Sequence, residues 1–299
     1  CNMLYNGTTM AATWNGVATR DIRLLRQQMN VVSALPKDYV FLNYLRCHDD
    51  IGWGLDYPWL RQFGINEVSH KKYLNDFLTG QYPGSFGRGE LYNSDPESGD
   101  ARLCGTTASL CGIEKAAFER DAEALEKAVR LDLMLHAYML SQSGIPVIYS
   151  GDEIGQENDY TYHENPRKWD DSRYLHRGDF RWDLEKKRSV KGSLQKKIFD
   201  GIRKLETIRA QYPVFCTDAR VWTIDTWDDS ILGLVREYGE EKVIALFNFS
   251  EFDKVAWINE EDGMYTDLIS GRAMEAKGVE IPAYGVYWLM RENGIEENK

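Results

Sequence analysis

Phe41-Leu42-Asn43-Tyr44-Leu45-Arg46-Cys47-His48-Asp49-Asp50 is an apolar run that ends abruptly in an imidazole and two adjacent carboxylates. From Val40 to Leu45 there is little alternation of polar and apolar residues, which predicts a parallel strand covered on both faces. Asp49 and Asp50 repel each other at close range, a cost met by solvent, a cation or a function. The stretch therefore reads either as a buried strand delivering polar groups to a cleft or as a solvated loop after a core strand.

A second stretch has the same grammar. The spacing of Leu125, Val129, Leu133, His136 and Leu140 predicts a helix within 118–142, with His136 a packed or partly exposed helix residue. Gly144 suits the C′ position of that helix. Ile145 to Tyr149 then predicts another buried strand, followed by Asp152 and Glu153. Helix, strand and terminal acid thus occur twice, the pattern of a parallel α/β barrel whose chemistry sits at the carboxyl ends of its strands. Upstream, Ala18, Ile22, Leu25 and Met29 predict one helical face between Ala11 and Met29, stopped by Pro36. Downstream, Leu194, Ile198, Ile202, Leu205 and Ile208 mark a helix that stops at Tyr212-Pro213.

Between the two units, 51–118 is rich in turn formers, as in Tyr82-Pro83-Gly84-Ser85 and Ser94-Asp95-Pro96-Glu97. So long an irregular segment reads as a lid or an inserted subdomain, with a short helix from Ser69 to Leu78. Beyond Val214 the texture changes to short β-type runs at Ala219–Ile224, Ile231–Glu237, Lys242–Phe249, Val255–Ile258 and Val286–Met290, the mark of a small antiparallel sandwich or sheet. The tail Glu292–Lys299 is expected to fray. The fold class is therefore α/β. Two strands and flanking helices of a partial (β/α)8 TIM barrel occupy 1–50 and 119–213, an insertion fills 51–118, and an all-β domain fills 214–299. Two parallel strands cannot close an eight-stranded barrel, so the chain reads as the C-terminal part of something larger.

Composition narrows the function. A net charge of −11 over 299 residues, with no Lys/Arg patch, argues against nucleic acid as a partner. No apolar run approaches the ~20 residues needed to cross a bilayer. Five cysteines without disulfide-framework or metal-ligand spacing point to a reducing cytoplasm and to no metal or other cofactor. The 37 aromatic residues include more than a core needs, and sugar-stacking platforms use the same side chains.

The order His48-Asp49-Asp50-Ile51-Gly52-Trp53, Gly84-Ser85-Phe86-Gly87-Arg88-Gly89, Ser150-Gly151-Asp152-Glu153-Ile154-Gly155 and Asp170-Asp171-Ser172-Arg173 resembles glycoside hydrolase family 13, the α-amylase superfamily, and within it the amylosucrase branch. The resemblance implies a retaining mechanism on a small-molecule sugar substrate, sucrose or a related α-glucoside, with transfer of glucose to water or glucan. It casts Asp49 as the carboxylate that stabilises the oxocarbenium-like transition state and His48 as a sugar-binding imidazole. Asp50 and Arg102 become acceptor-side contacts, and Arg173 a residue that closes the glucosyl pocket by pairing with an acid elsewhere. Asp152 and Glu153 are expected to organise the barrel mouth rather than cleave bonds. The nucleophile and acid/base of the family would lie upstream of Cys1, so a non-catalytic binding fragment is the rival reading. An α-glucosidase, a sucrose phosphorylase or a trehalose-forming enzyme is a further alternative. Lys71 stands where amylosucrases place a glucan-holding Arg, which weakens the case for polymer synthesis.

Overall fold

The computed structural model describes residues 3–259 and 263–291; the tail expected to fray lies outside them. The deciding stretch forms the strand Val40–Asn43, the middle of a three-stranded parallel sheet between Met3–Tyr5 and Ile145–Pro146. The sheet has one strand more than the sequence suggested, because Met3–Tyr5 is too short to show a period. Both expected strands are also shorter and less covered than predicted. Val40, Phe41 and Leu42 are only half-buried, the second strand stops at Pro146, and Ile145 remains 41% exposed.

Behind the strands the chain is tightly closed. The Asn6 side chain donates to Asn43 Oδ1 at 2.8 Å, and Asn43 donates in turn to the Ser143 carbonyl at 2.8 Å, so polar side chains tie the three strand regions together. Gly144 has φ +119°, and a methyl group there would overlap the Phe41 carbonyl. Its place is the close approach of two strands, two residues beyond the Gln142 cap rather than at the C′ position expected of it.

The helix expected across Ala11–Met29 is two, Gly7–Thr19 and Arg23–Ser33, turning at Arg20 in the left-handed region. The Ile22 amide donates to the Asp229 carbonyl rather than continuing the first helix. Ala18, Ile22, Leu25 and Met29 are nonetheless all buried, drawn from both helices. The expected 118–142 helix likewise starts later, at Ala122, after the short helix Ile113–Glu119 and a left-handed Arg120. Asp121 caps the long helix by accepting from the Ala124 amide at 3.0 Å, which leaves Phe118 at 82% exposure. His136 on this helix is fully buried.

The stretch 51–118 carries the helix Glu67–Leu78 and a small antiparallel sheet of Ile51–Gly52, Arg102–Cys104 and Glu90–Tyr92. The C-terminal region is a six-stranded antiparallel sheet in which Glu241–Asn248 pairs with Ile231–Tyr238 on one side and Val286–Arg291 on the other. Alternation along these strands divides the burial. Leu232, Leu234, Ala245 and Phe247 face the main core, whereas Ile231, Val235, Ile244 and Leu246 are covered by the two-stranded ribbon Lys254–Ala256 and Val279–Ile281. Tyr138 of the long helix meets the Phe247 ring edge-on at 5.7 Å. Arg236 is buried between the two regions and donates to the carbonyls of Ser141, Val214 and Cys216 at 2.7, 2.9 and 2.6 Å. Burial, followed by Arg209 nearby, pulls its pKa down to about 9.

Candidate active site

The polar end of the first strand sits over a buried floor. Arg46, the last residue before Cys47, is 3% exposed and contacts Asp152 through Nε and Nη2 at 2.9 and 2.7 Å. Asp152 also accepts from Thr107 Oγ1 at 3.1 Å, and the Arg46 guanidinium lies 4.5 Å from the centre of the Tyr149 ring. This pair joins the ends of the two strands that the sequence singled out. Glu153 is used locally, accepting from the Gly151 amide at 2.8 Å.

The next layer holds His48 by its main chain. His176 is 5% exposed, and its Nδ1 accepts from the Gly105 amide at 3.1 Å. The neutral ring therefore carries its proton on Nε2, which donates to the His48 carbonyl at 3.3 Å. Burial, with Arg46 adding to it, pulls the His176 pKa down to about 4, so the tautomer persists at neutral pH. Arg177 reaches the same carbonyl through Nε at 2.5 Å and the Asp49 carboxylate through Nη2 at 3.3 Å. Both side chains of the His48–Asp49 pair are open to solvent, with 3.4 Å between Nε2 and Oδ2.

Asp50 is half-buried. Burial raises its pKa, opposed by the charges of Arg102 and Arg173. Arg177 adds a weaker attraction of the same sign on that carboxylate. Arg102 lies across Gly52, its ladder partner, where a methyl group would overlap the guanidinium. Arg173 departs from expectation. Its fork grips Asp171, two residues away, with Nε–Oδ1 and Nη2–Oδ2 both at 2.8 Å, rather than a remote acid. The cause is local: Asp171 caps the turn Ser172–Leu175 by accepting from the Arg173 amide at 3.0 Å, and the same turn presents the guanidinium to the carboxylate. Hydrogen bonding from Arg173 holds Asp171 below the ordinary carboxylate range. Lys71 is likewise engaged, 2.9 Å from both Glu67 and Asp100.

Among the described residues one trio, Cys47, His48 and Asp49, brings possible metal-ligand atoms within 4.8 Å of one another. The Cys47 thiol is pushed up by burial, however, and Asp49 is engaged by Arg177. A neutral thiol is a poor ligand. The sequence reading missed Arg46, His176 and Arg177. Arg46 was visible as the charge that ends the apolar run, but nothing local to 176–177 announced a partnership with His48.

No family model matches the chain. Over 172 residues it is 24% identical to glucosylglycerate phosphorylase of Escherichia coli (strain K12), a match covering 57% of this chain and 30% of that enzyme. The structure superposes on α-amylase from Geobacillus thermoleovorans, solved with acarbose, at a TM-score of 0.55 and 14% identity over 98% of this chain and 48% of the other. It superposes on sucrose 6F-phosphate phosphorylase from Thermoanaerobacter thermosaccharolyticum at 0.60 and 14%, over 92% and 47%. The fold is that of α-amylase-type enzymes. The chain spans about half the length of these solved structures and less than a third of the curated relative. Among the described residues no helix is long and apolar enough to cross a membrane.

Proposed function

We propose that this chain supplies the transition-state stabiliser and part of the sugar-binding surface of a retaining α-glucoside enzyme, acting on sucrose or a related α-glucoside. The observation that carries this reading is the seating of Asp49. An open carboxylate, steered by Arg177 and flanked by the His48 imidazole, stands on a buried Arg46–Asp152 floor. Retaining cleavage passes through a sugar cation, and a fixed carboxylate beside it stabilises positive charge as it develops. His48 would bind a hydroxyl of the same ring, and Asp50 and Arg102 would meet the acceptor. Arg173, already paired with Asp171, would shape the pocket wall.

Two acceptor classes fit. Water or a glucan follows from the amylosucrase-like motifs. Inorganic phosphate is the alternative supported by the phosphorylases among the similar proteins. The test is to express the whole reading frame that encodes this chain and supply sucrose with and without phosphate. Fructose with free glucose or longer glucans supports hydrolysis or transfer. Glucose 1-phosphate formed only with phosphate selects phosphorolysis. Cleavage of other α-glucosides but not of sucrose would exclude the sucrose assignment, and turnover unaffected by Asp49→Asn would remove Asp49 from its role.

A further inference from the structure

A second cleft, of about 550 Å³, opens between the insertion, the short helix Ile113–Glu119 and the loop after Ile154, and none of the residues around His48 lines it. Its walls are Arg88, Glu114, Ala117, Phe118, Glu157 and Tyr160. Two features set it apart from an ordinary surface groove.

The first is aromatic. Phe118 is 82% exposed and Tyr160 42%. The second is a set of polar groups with unused capacity. Among the described residues the Arg88 guanidinium makes no ion pair or hydrogen bond, even though its main chain is fixed at both ends. Its amide donates to Ser109, and its carbonyl accepts from Asn158. The Glu157 carboxylate makes no hydrogen bond or ion pair among those residues, with Arg181 acting on it only at longer range, and Glu114 Oε2 is buried without a partner. The other Glu114 oxygen accepts from Tyr160 Oη at 2.7 Å, and Asn158 donates to that hydroxyl at 3.3 Å, so the wall is built rather than loose. Burial and the neighbouring Glu114 both raise the Glu157 pKa.

Such a cleft asks for a ligand that offers a hydroxyl donor to the Glu157 carboxylate, hydroxyl acceptors to a guanidinium fork and an apolar face to aromatic rings. A pyranose ring meets all three demands. A divalent cation would use the glutamates and leave Arg88 and the two rings without a role.

We propose that this cleft is a second sugar-binding site for α-linked glucosyl units. The choice of sugar rests on the α-glucoside reading above; the existence of the site rests on the cleft itself. Phe118 contributes the stacking face, Arg88 and Glu157 the hydroxyl contacts, and Glu114 with Tyr160 the supporting wall.

Isothermal titration of the full chain with maltotriose tests this. Phe118→Ala removes an exposed ring, so its thermal midpoint should match the parent while the maltotriose Kd rises at least tenfold. Arg88→Ala should raise it comparably, and Asp49→Asn should leave this binding unchanged. Parent-like binding by both Phe118→Ala and Arg88→Ala overturns the proposal, as does the absence of maltotriose binding. A calcium-induced rise in midpoint that Glu157→Gln abolishes, with no sugar bound, also overturns it and makes the cleft a cation site. Binding lost only in Asp49→Asn removes the second site and leaves the α-glucoside reading intact. Binding lost in Phe118→Ala, from a full reading frame that cleaves no α-glucoside, leaves the second site standing and removes that reading.

Discussion

The floor and the mouth of the candidate site use the same residue types to opposite ends. Below, Arg46 and Asp152 are 2–3% exposed, and each charge depends on the other. Above, Arg177 and Asp49 meet at 3.3 Å with the carboxylate more than half exposed, so either could lose its partner to water. Desolvation sets the difference. A buried pair is costly to break because the survivor is stranded, whereas a rim pair contributes little to stability and remains free to act on a ligand. The floor should therefore govern folding and the mouth turnover.

The sharpest way to break this comparison is at Asp152. Asp152→Ala strands the Arg46 charge and should cost about 3–5 kcal/mol, lowering the thermal midpoint on the order of 10 °C. A calorimetric scan that moves by a degree or two would show that the floor is not what holds the strand ends. Asp49→Asn should do the reverse. In the enzyme from the whole reading frame, turnover should fall about 10²–10³-fold, with unfolding free energy within about 0.5 kcal/mol of the parent.

The next prediction uses two buried imidazoles of opposite sign. His176 titrates near 4 folded and near 6.5 unfolded, so the unfolded chain binds more protons in that window, and stability falls as pH drops through it, by up to about 3 kcal/mol. Burial lowers the His136 pKa, but the Asp132 carboxylate 3.5 Å away outweighs it and raises the pKa to about 9. The stability that His136 contributes is complete below about 6.5 and is lost as pH rises through about 9. Urea titrations at pH 4.5, 6.5 and 9 should give the highest stability at the middle value. His176→Gln should flatten the acid side and His136→Gln the alkaline side; profiles unchanged by both would refute the assignment. The smallest effect belongs to Arg177→Ala, expected to cost under about 1 kcal/mol of stability. In the whole enzyme it should raise KM more than it lowers kcat, because it loosens His48 and Asp49 without removing either.

What was legible in the sequence follows the same divide. The apolar run 40–45 and its terminal acids stood out because strand burial and a sudden change of polarity are local signals, and five β-type runs of the last third were equally plain, whereas the short strands Met264–Asp267, Ala273–Glu275 and Val279–Ile281 were not. The strand Met3–Tyr5 was invisible, since three residues carry no period. The left-handed turns at Arg20 and Arg120 were hidden because neither residue is a glycine, and each broke a helix that spacing alone extended. Arg173 was expected to pair with a remote acid, whereas the local turn Ser172–Leu175 hands it Asp171. Arg46, His176 and Arg177 could not be assembled from spacing, since their partners lie far along the chain.

Arg236 bears on how such proteins exchange parts. Its guanidinium leaves the central sheet to close the last turn of the helix Ala122–Ser141 and the segment Val214–Cys216 at once. The all-β region is thus not a detachable cassette. A chimera cut at Val214 takes Arg236 away together with two of its acceptors and leaves the buried Ser141 carbonyl without its donor, so grafting boundaries are better drawn before Ala122 than at Val214.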